Sequence, residues 1–324
     1  MQIVLDSRGL QLSVRNKCFL IEAEKESRII HPQRISSILI TAPCRMSSPA
    51  IILAAESQIP VVICNSCGKP QARLWSPMFL NTSALRRKQY LFAAKEQSFA
   101  WAEEIIRLKI KGQTDNLAFV AGRRSSLNPE VEKALSNIST QLAKLQTAEA
   151  TDGSVRKKLI LFCEAYAAAY YWQLVGIKLP LPFTFTNRIK REPTDAFNAC
   201  INYLYGMLRN QTETAVLSIG LDPALGIMHR DGYHMPSLVF DLMEPFRPVM
   251  DRLLITAIFQ NQMPDDCIEV HDEKYRISKA GRKQLIGLFY EKLHSRMLYK
   301  GINTNLQNHL LTEVKMLADI IKKV

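Results

Sequence analysis

The apolar spacing of this chain changes period once, near Ser83, and that change restricts it to a fold in two unlike parts. Before this point apolar residues alternate or run in short β-branched stretches, and after it they recur every three or four positions. Leu10, Leu12 and Val14 alternate with polar residues, Arg15-Asn16-Lys17 can turn the chain, and Phe19 to Ile21 resume an apolar run, which predicts a hairpin. Ile38 to Ile40 and Val61 to Cys64 predict two further strands, with Gln71 to Trp75 pairing back across a turn at Asn65 to Lys69. Between them Ser48-Pro49 predicts a helix start, with Ser48 as N-cap and Pro49 in the first helical position, for a short segment from Ala50 to Ala55 that Pro60 ends.

The second part reads as helices. Arg156 to Val175 is rich in helix formers, bounded by Gly153-Ser154 and Gly176. A helix beginning at Thr194 or Asp195 carries Phe197, Ile201, Leu204 and Leu208 on one face. Another spans Ser237 to Gln262 with interruptions at Pro245 and Pro248, and the last carries Leu306, Leu310, Val314, Leu317 and Ile321 ahead of a basic Lys322-Lys323 end. The expected class is α+β, with a small β-rich domain over 1–82 followed by a larger all-helical domain over 83–324.

Composition decides which functions remain open. Hydrophobic residues make up 47% of the chain, too many for a disordered protein. No apolar run approaches a bilayer span, and charges interrupt the N-terminal stretch, so a soluble intracellular, cytoplasmic protein is expected, with no membrane partner. The formal charge is +12 and the positive residues cluster: Arg86-Arg87-Lys88, Arg107 with Lys109 and Lys111, Arg123-Arg124, Arg156-Lys157-Lys158, and Arg188 with Lys190 and Arg191. Clustered cations that release counterions from phosphates point to nucleic acid, against the plainer reading of a solvated surface. The seven cysteines are read as reduced, and Cys64 and Cys67, a lone CxxC pair followed by Gly68 and Pro70, as turn residues in place of a metal or redox site.

No nucleophile elbow, phosphate-binding loop, HExxH or dinucleotide fingerprint is present. What remains is polar residues in apolar settings. Glu164 has Ile160, Leu161, Ala167 and Ala168 three and four positions away, and a carboxylate so placed needs a cation, a hydrogen-bond donor or a metal ion. A Lys, an Arg or water would satisfy it equally well. His229 lies between two loop signals, and Asp241 and Glu244 stand one helical turn apart beside Pro245. Such His, Asp and Glu side chains suit Mg2+ or Mn2+ and phosphodiester chemistry, or a purely structural polar network.

The runs PTDAFNACINYLYGML, GLDPALGIMH and SLVFDLMEPFRP closely resemble the CRISPR-associated adaptation endonuclease and integrase family, whose members insert spacers into CRISPR arrays. The resemblance extends over the whole chain and implies the same β-then-helical domain order. It implies that Glu164, His229 and Glu244 are catalytic ligands of Mg2+ or Mn2+, with Asp241 as support or alternate ligand. It gives Asn198 and Asn202, on one helix face with Tyr205, a role in supporting the centre or contacting DNA, and Arg247 a carboxylate or phosphate partner. Arg86, Arg87 and Lys88 are the first candidates for DNA contact. The implied reaction joins 3′-hydroxyl ends of a double-stranded prespacer to phosphodiesters of a CRISPR repeat. The implied assembly is a homodimer through the N-terminal domain, together with the small ferredoxin-like partner of the adaptation complex. Two rivals share these residues: a structure-selective nuclease using water, and a non-enzymatic nucleic-acid-binding scaffold.

Overall fold

The computed structural model describes residues 2–23, 26–35, 37–57, 59–64, 70–74, 83–122, 129–146, 153–233, 235–271 and 274–324. They form two compact units, Met1–Ser83 and Ala84–Val324.

In the first unit, β1 (Gln2–Leu5), β2 (Gln11–Arg15), β3 (Cys18–Glu22), β4 (Ser27–Ile30), β5 (Ser37–Ile40), β6 (Arg45–Met46), α1 (Ser48–Glu56), β7 (Val61–Cys64) and β8 (Pro70–Arg73) follow in order. They build two four-stranded sheets, β1-β5-β7-β8 and β4-β3-β2-β6. The predicted hairpin is β2 and β3, which pair Arg15 with Cys18 around Asn16 and Lys17. Both turn residues have positive φ, 51° and 58°, the twist that a two-residue hairpin requires. Leu12, Phe19, Ile38, Ala50 and Val61 close the core of this unit. α1 starts one residue earlier than its sequence suggested: Ser47 is the cap, its Oγ accepting from Ala50 N at 3.3 Å. Pro49 is still in the first turn, where its missing N–H costs nothing. β8 pairs antiparallel with β7, while the turn at 65–69, Cys67 and Trp75 lie outside the described residues. None of the six described cysteines is in a disulfide.

The second unit contains α2 (Ser83–Ala93), α3 (Glu96–Ala121), α4 (Pro129–Gln146), α5 (Gly153–Lys178), α6 (Ala196–Ile219), α7 (Ser237–Met243), α8 (Arg247–Phe259), α9 (Lys279–His294) and α10 (Leu306–Lys322). To these it adds two short antiparallel hairpins that the helical periodicity did not reveal, β9 (Ile268–His271) with β10 (Lys274–Ile277) and β11 (Arg296–Tyr299) with β12 (Ile302–Asn305). α3, α4 and α5 pack on one another, and α6 packs on α7, α8 and α10. α5 continues through Gly176, which its sequence suggested as an end. A Cβ there would stand 2.2 Å from the carbonyl oxygen of Phe185, so this glycine admits a crossing backbone and does not end the helix. Asp195 caps α6 by accepting from Asn198 N at 2.7 Å, and Gly220 ends it in the left-handed conformation.

The segment predicted as one interrupted helix is three pieces: α7, a 3-10 turn over Glu244–Phe246, and α8. Pro245 and Pro248 sit in the first turn of the piece each begins, where no donor is needed. The break turns Glu244 inward. No described helix is long and apolar enough to cross a membrane.

Candidate active site

Glu164 projects from the middle of α5 toward α3, and there it meets Lys109. This lysine follows Ile105 and Ile106 on the buried face of α3, and its side chain is only 9% exposed. The burial that made Glu164 expensive is answered by Lys109, whose ammonium bonds to Glu164 Oε1. The same ammonium lies 2.6 Å from Glu244 Oε2. Two carboxylates from different elements thus share one cation, which offsets their mutual repulsion and their lost hydration. Lys109 belongs to this site and not to a surface cluster of positive charge.

Glu244 is buried, and its other oxygen accepts from Arg247 Nε at 2.8 Å. Burial alone would raise its pKa, but Arg247 and Lys109 outweigh burial and hold it at about 2. It is therefore an anion throughout the physiological range. The guanidinium of Arg247 lies over the Tyr205 ring, 4.7 Å from its centroid, so the partner that the sequence predicted for Arg247 is Glu244 on one side and an aromatic face on the other.

His229 is delivered by the loop between α6 and α7, and Asp241 shapes that loop. The Asp241 carboxylate, fully buried, accepts from the backbone N–H of Ile227 (2.6 Å), Met228 (3.0 Å) and His229 (3.0 Å), and from His229 Nδ1 (2.6 Å). A carboxylate can only accept, so Nδ1 carries a proton, and in the neutral ring Nε2 presents its lone pair. Nε2 lies 3.9 Å from Glu244 Oε1. Asp241 directs both oxygens to the loop and orients the histidine. The loop is tied from outside as well. Lys157 Nζ donates to Ile227 O at 2.8 Å, and the buried Gln89 exchanges hydrogen bonds with the backbone of Asp222.

Asn198 and Asn202 lie on the same face of α6, but they serve another loop. Their Oδ1 atoms accept from Arg188 at 2.8 and 2.6 Å, and they also bond the backbone at Asn187 and Ile189. Asn198 is fully buried, so it has no free edge for DNA. Arg188 lies over the rings of Trp172 and Tyr205. The expected DNA triplet also divides: Arg86 donates to Gly220 O (3.2 Å) and Lys88 to Lys322 O (2.6 Å), while Arg87 is exposed. Further basic residues are used internally, Arg107 on Glu104 and Arg156 on Glu103. Arg123 and Arg124 lie outside the described residues.

Behind Tyr205 sits a residue that sequence reasoning missed. Asp251 of α8 is buried and accepts from Tyr205 Oη at 2.6 Å and Tyr171 Oη at 3.1 Å. Burial raises its pKa to about 6 against the opposing pull of these hydroxyls and Arg188. The folded protein holds this proton more tightly than the unfolded chain, so stability attached to Asp251 grows as pH falls through 6 and is absent above it. Relative to Asp251→Asn, the wild type is expected to gain about 1 kcal/mol on going from pH 7 to pH 5, and about 2–3 kcal/mol by pH 4. Paired thermal melts across that range read this directly, and parallel curves would refute it. The signal that could have found Asp251 was weak: an acid four positions after Arg247, amid the apolar Leu253, Leu254 and Ile255.

Among the described residues no group of three or more His, Cys, Asp or Glu side chains is placed to hold a metal ion as it stands. Lys109 accounts for that, because the two carboxylates converge on its ammonium. One side of the site is open, with 24% of the Glu164 side chain and 34% of His229 exposed.

The sequence matches the family model described as CRISPR associated protein Cas1 over residues 3–291. CRISPR-associated endonuclease Cas1 1 of Archaeoglobus fulgidus is 31% identical over 316 residues, covering 94% of this chain and 91% of that protein. Among solved structures, a casposase bound to integration product has a similar fold, with a TM-score of 0.81 at 23% identity over 99% of this chain and 90% of that chain. A chain of a Cas6-RT-Cas1–Cas2 complex also gives a TM-score of 0.81, at 21% identity, over 100% of this chain and 35% of that chain. A match that runs from the first strand through α9, joined to a relative of this identity along nearly its full length, makes the chain a member of the CRISPR-associated Cas1 family.

Proposed function

We propose that the chain is a metal-dependent DNA endonuclease and integrase that joins prespacer 3′-hydroxyl ends to a CRISPR repeat. One observation carries the reading: Glu164 and Glu244, from different elements, converge on one cation, the Lys109 ammonium, and His229 Nε2 stands 3.9 Å from the other oxygen of Glu244. Two carboxylates and an imidazole are a donor set suited to Mg2+ or Mn2+, so Glu164, His229 and Glu244 would hold the ion. Bound there, such an ion supplies charge neutralisation and polarisation of the scissile phosphate.

The chain's own residues do the rest. Asp241 fixes the ring of His229, and Arg247 fixes Glu244 and carries positive charge at the site. The reaction takes the proton from the incoming 3′-hydroxyl and forms a bond from its oxygen to phosphorus, and it breaks the bond from phosphorus to the repeat's 3′-oxygen, which takes up one proton and leaves as a hydroxyl, so protons and phosphodiester bonds are conserved. No protein nucleophile is needed; in-line placement of the two oxygens is. Exposed Arg87, Lys111, Lys158, Lys190 and Arg191 would track the duplex phosphates. The N-terminal unit would pair two copies as a homodimer, covering apolar side chains such as Ile52 and Ile63 that stand exposed on it, and the complex would include the small ferredoxin-like partner.

A supercoiled plasmid carrying a leader and repeat, incubated with an end-labelled prespacer and Mn2+, should yield label joined covalently to the plasmid. Nicking without joining would favour the structure-selective nuclease, and DNA binding without either would favour the scaffold. Gly226 offers a gentler test of the loop. A Cβ there would meet Ser237 Cβ at 2.5 Å and His229 O at 2.7 Å, so Gly226→Ala must shift the histidine. It is expected to slow joining by about tenfold or more and to cost about 1–3 kcal/mol of stability, read by the same assay and by melting.

A further inference from the structure

We infer that Lys109 is a built-in counter-cation of the active site, holding the place between Glu164 and Glu244 until a divalent ion displaces it. The inference rests on the metal-dependent reading above. Glu244 presents two oxygens to different neighbours. Oε1 faces Arg247 and His229 Nε2, whereas Oε2 has Lys109 at 2.6 Å. Glu164 gives its Oε1 to the same ammonium. An ion bridging the two carboxylates therefore competes with Lys109 for the very oxygens it needs.

The two cations at the site differ in how readily they can leave. Arg247 is held by its Nε–H on Glu244 Oε1 and by the Tyr205 ring beneath it. Lys109 has a flexible four-carbon stem, and it forms ion pairs with these two carboxylates. Its helix is anchored by Ile105, Ile106 and Ile110, so the stem can swing while its Cα stays. Such a lysine has two consequences. It keeps the metal-free site assembled, with the carboxylates facing each other, and it lowers the apparent affinity for the ion that replaces it.

Lys109→Met keeps the length and removes the charge. In the full chain it is expected to lower the metal-free melting temperature, to bind Mn2+ about tenfold more tightly by loss of the free-ion electron paramagnetic resonance signal, and to show a larger Mn2+-induced rise in melting temperature than the wild type. Should the methionine variant fail to fold, Lys109→Gln carries the same expectations, since its amide can bridge the carboxylates without charge. Mn2+ affinity that is unchanged or weaker in the folded variant overturns the inference while leaving the metal site standing. Wild-type protein that binds no Mn2+, or binds it equally well as Glu164→Ala with His229→Ala, overturns the metal-dependent reading and this inference with it.

Discussion

Replacing Glu164 with alanine is expected to lower the rate of strand joining by about a thousandfold or more, while DNA binding persists. The size follows from what the side chain does at the proposed centre. An ion that neutralises the transferring phosphate is worth several kcal/mol in the transition state, and about 4 kcal/mol corresponds to three decades of rate. Binding should survive because the exposed cations, not the carboxylates, are the groups proposed to meet the phosphates. Folding should survive too: Lys109 keeps its second partner, Glu244, and the helix carrying Glu164 is held by the buried Ile160, Cys163, Ala167 and Tyr171. Gel-shift titration alongside the joining assay separates the two effects. Joining reduced only a few-fold, or lost in parallel with binding, would remove Glu164 from the chemistry and return it to the role of a partner for a buried lysine. Glu164→Gln, which keeps the shape, should behave as the alanine variant does.

Asp241→Asn is the second large effect, and it acts on stability and site together. The native carboxylate accepts from four N–H groups. An amide presents one oxygen, and its NH2 group must face at least one of those donors, leaving buried groups unsatisfied at about 1–3 kcal/mol each. A loss of roughly 3–5 kcal/mol, or about 10 °C in melting temperature for a unit of this size, is expected. Because the same substitution frees the His229 ring to rotate or change tautomer, Mn2+ affinity should also fall by about 10- to 100-fold. Calorimetry and Mn2+ titration on the folded variant check both. A variant as stable as wild type with unchanged Mn2+ binding would show that the loop does not depend on this carboxylate.

Acid should weaken the same centre from the other side. Glu244, held at about 2 by Arg247 and Lys109 despite its burial, contributes stability that is complete above about pH 4.5 and lost as pH falls toward 2. Asp251 works in the opposite direction at higher pH, so the two carboxylates of the 3-10 turn and α8 leave separate marks on a pH profile.

Much of the fold was legible in local pattern. The alternation at Leu10 to Val14, the β-branched run at Val61 and the four-three-four spacing from Phe197 to Leu208 report which face of an element is buried, and burial of a face is a nearest-neighbour property of the chain. The short hairpins at Ile268 and Arg296 escaped because four-residue strands leave too few repeats to show a period. Gly176 misled because the sequence cannot tell a glycine that ends a helix from one that lets Phe185 approach.

The polar residues divide along the same line. From its neighbours alone, Glu164 was an expensive carboxylate in need of a cation, a hydrogen-bond donor or a metal ion, and the resemblance carried by His229 and Glu244 pointed to the same centre. What the cation is, that Asp241 spends itself on backbone N–H groups, and that Asn198 serves Arg188 were settled only in three dimensions. Lys109 stands 55 positions from Glu164 and much farther from Glu244, so no window along the chain contains the pair. Sequence fixes the desolvation cost that each residue carries; the meeting of distant helices decides which partner offsets it.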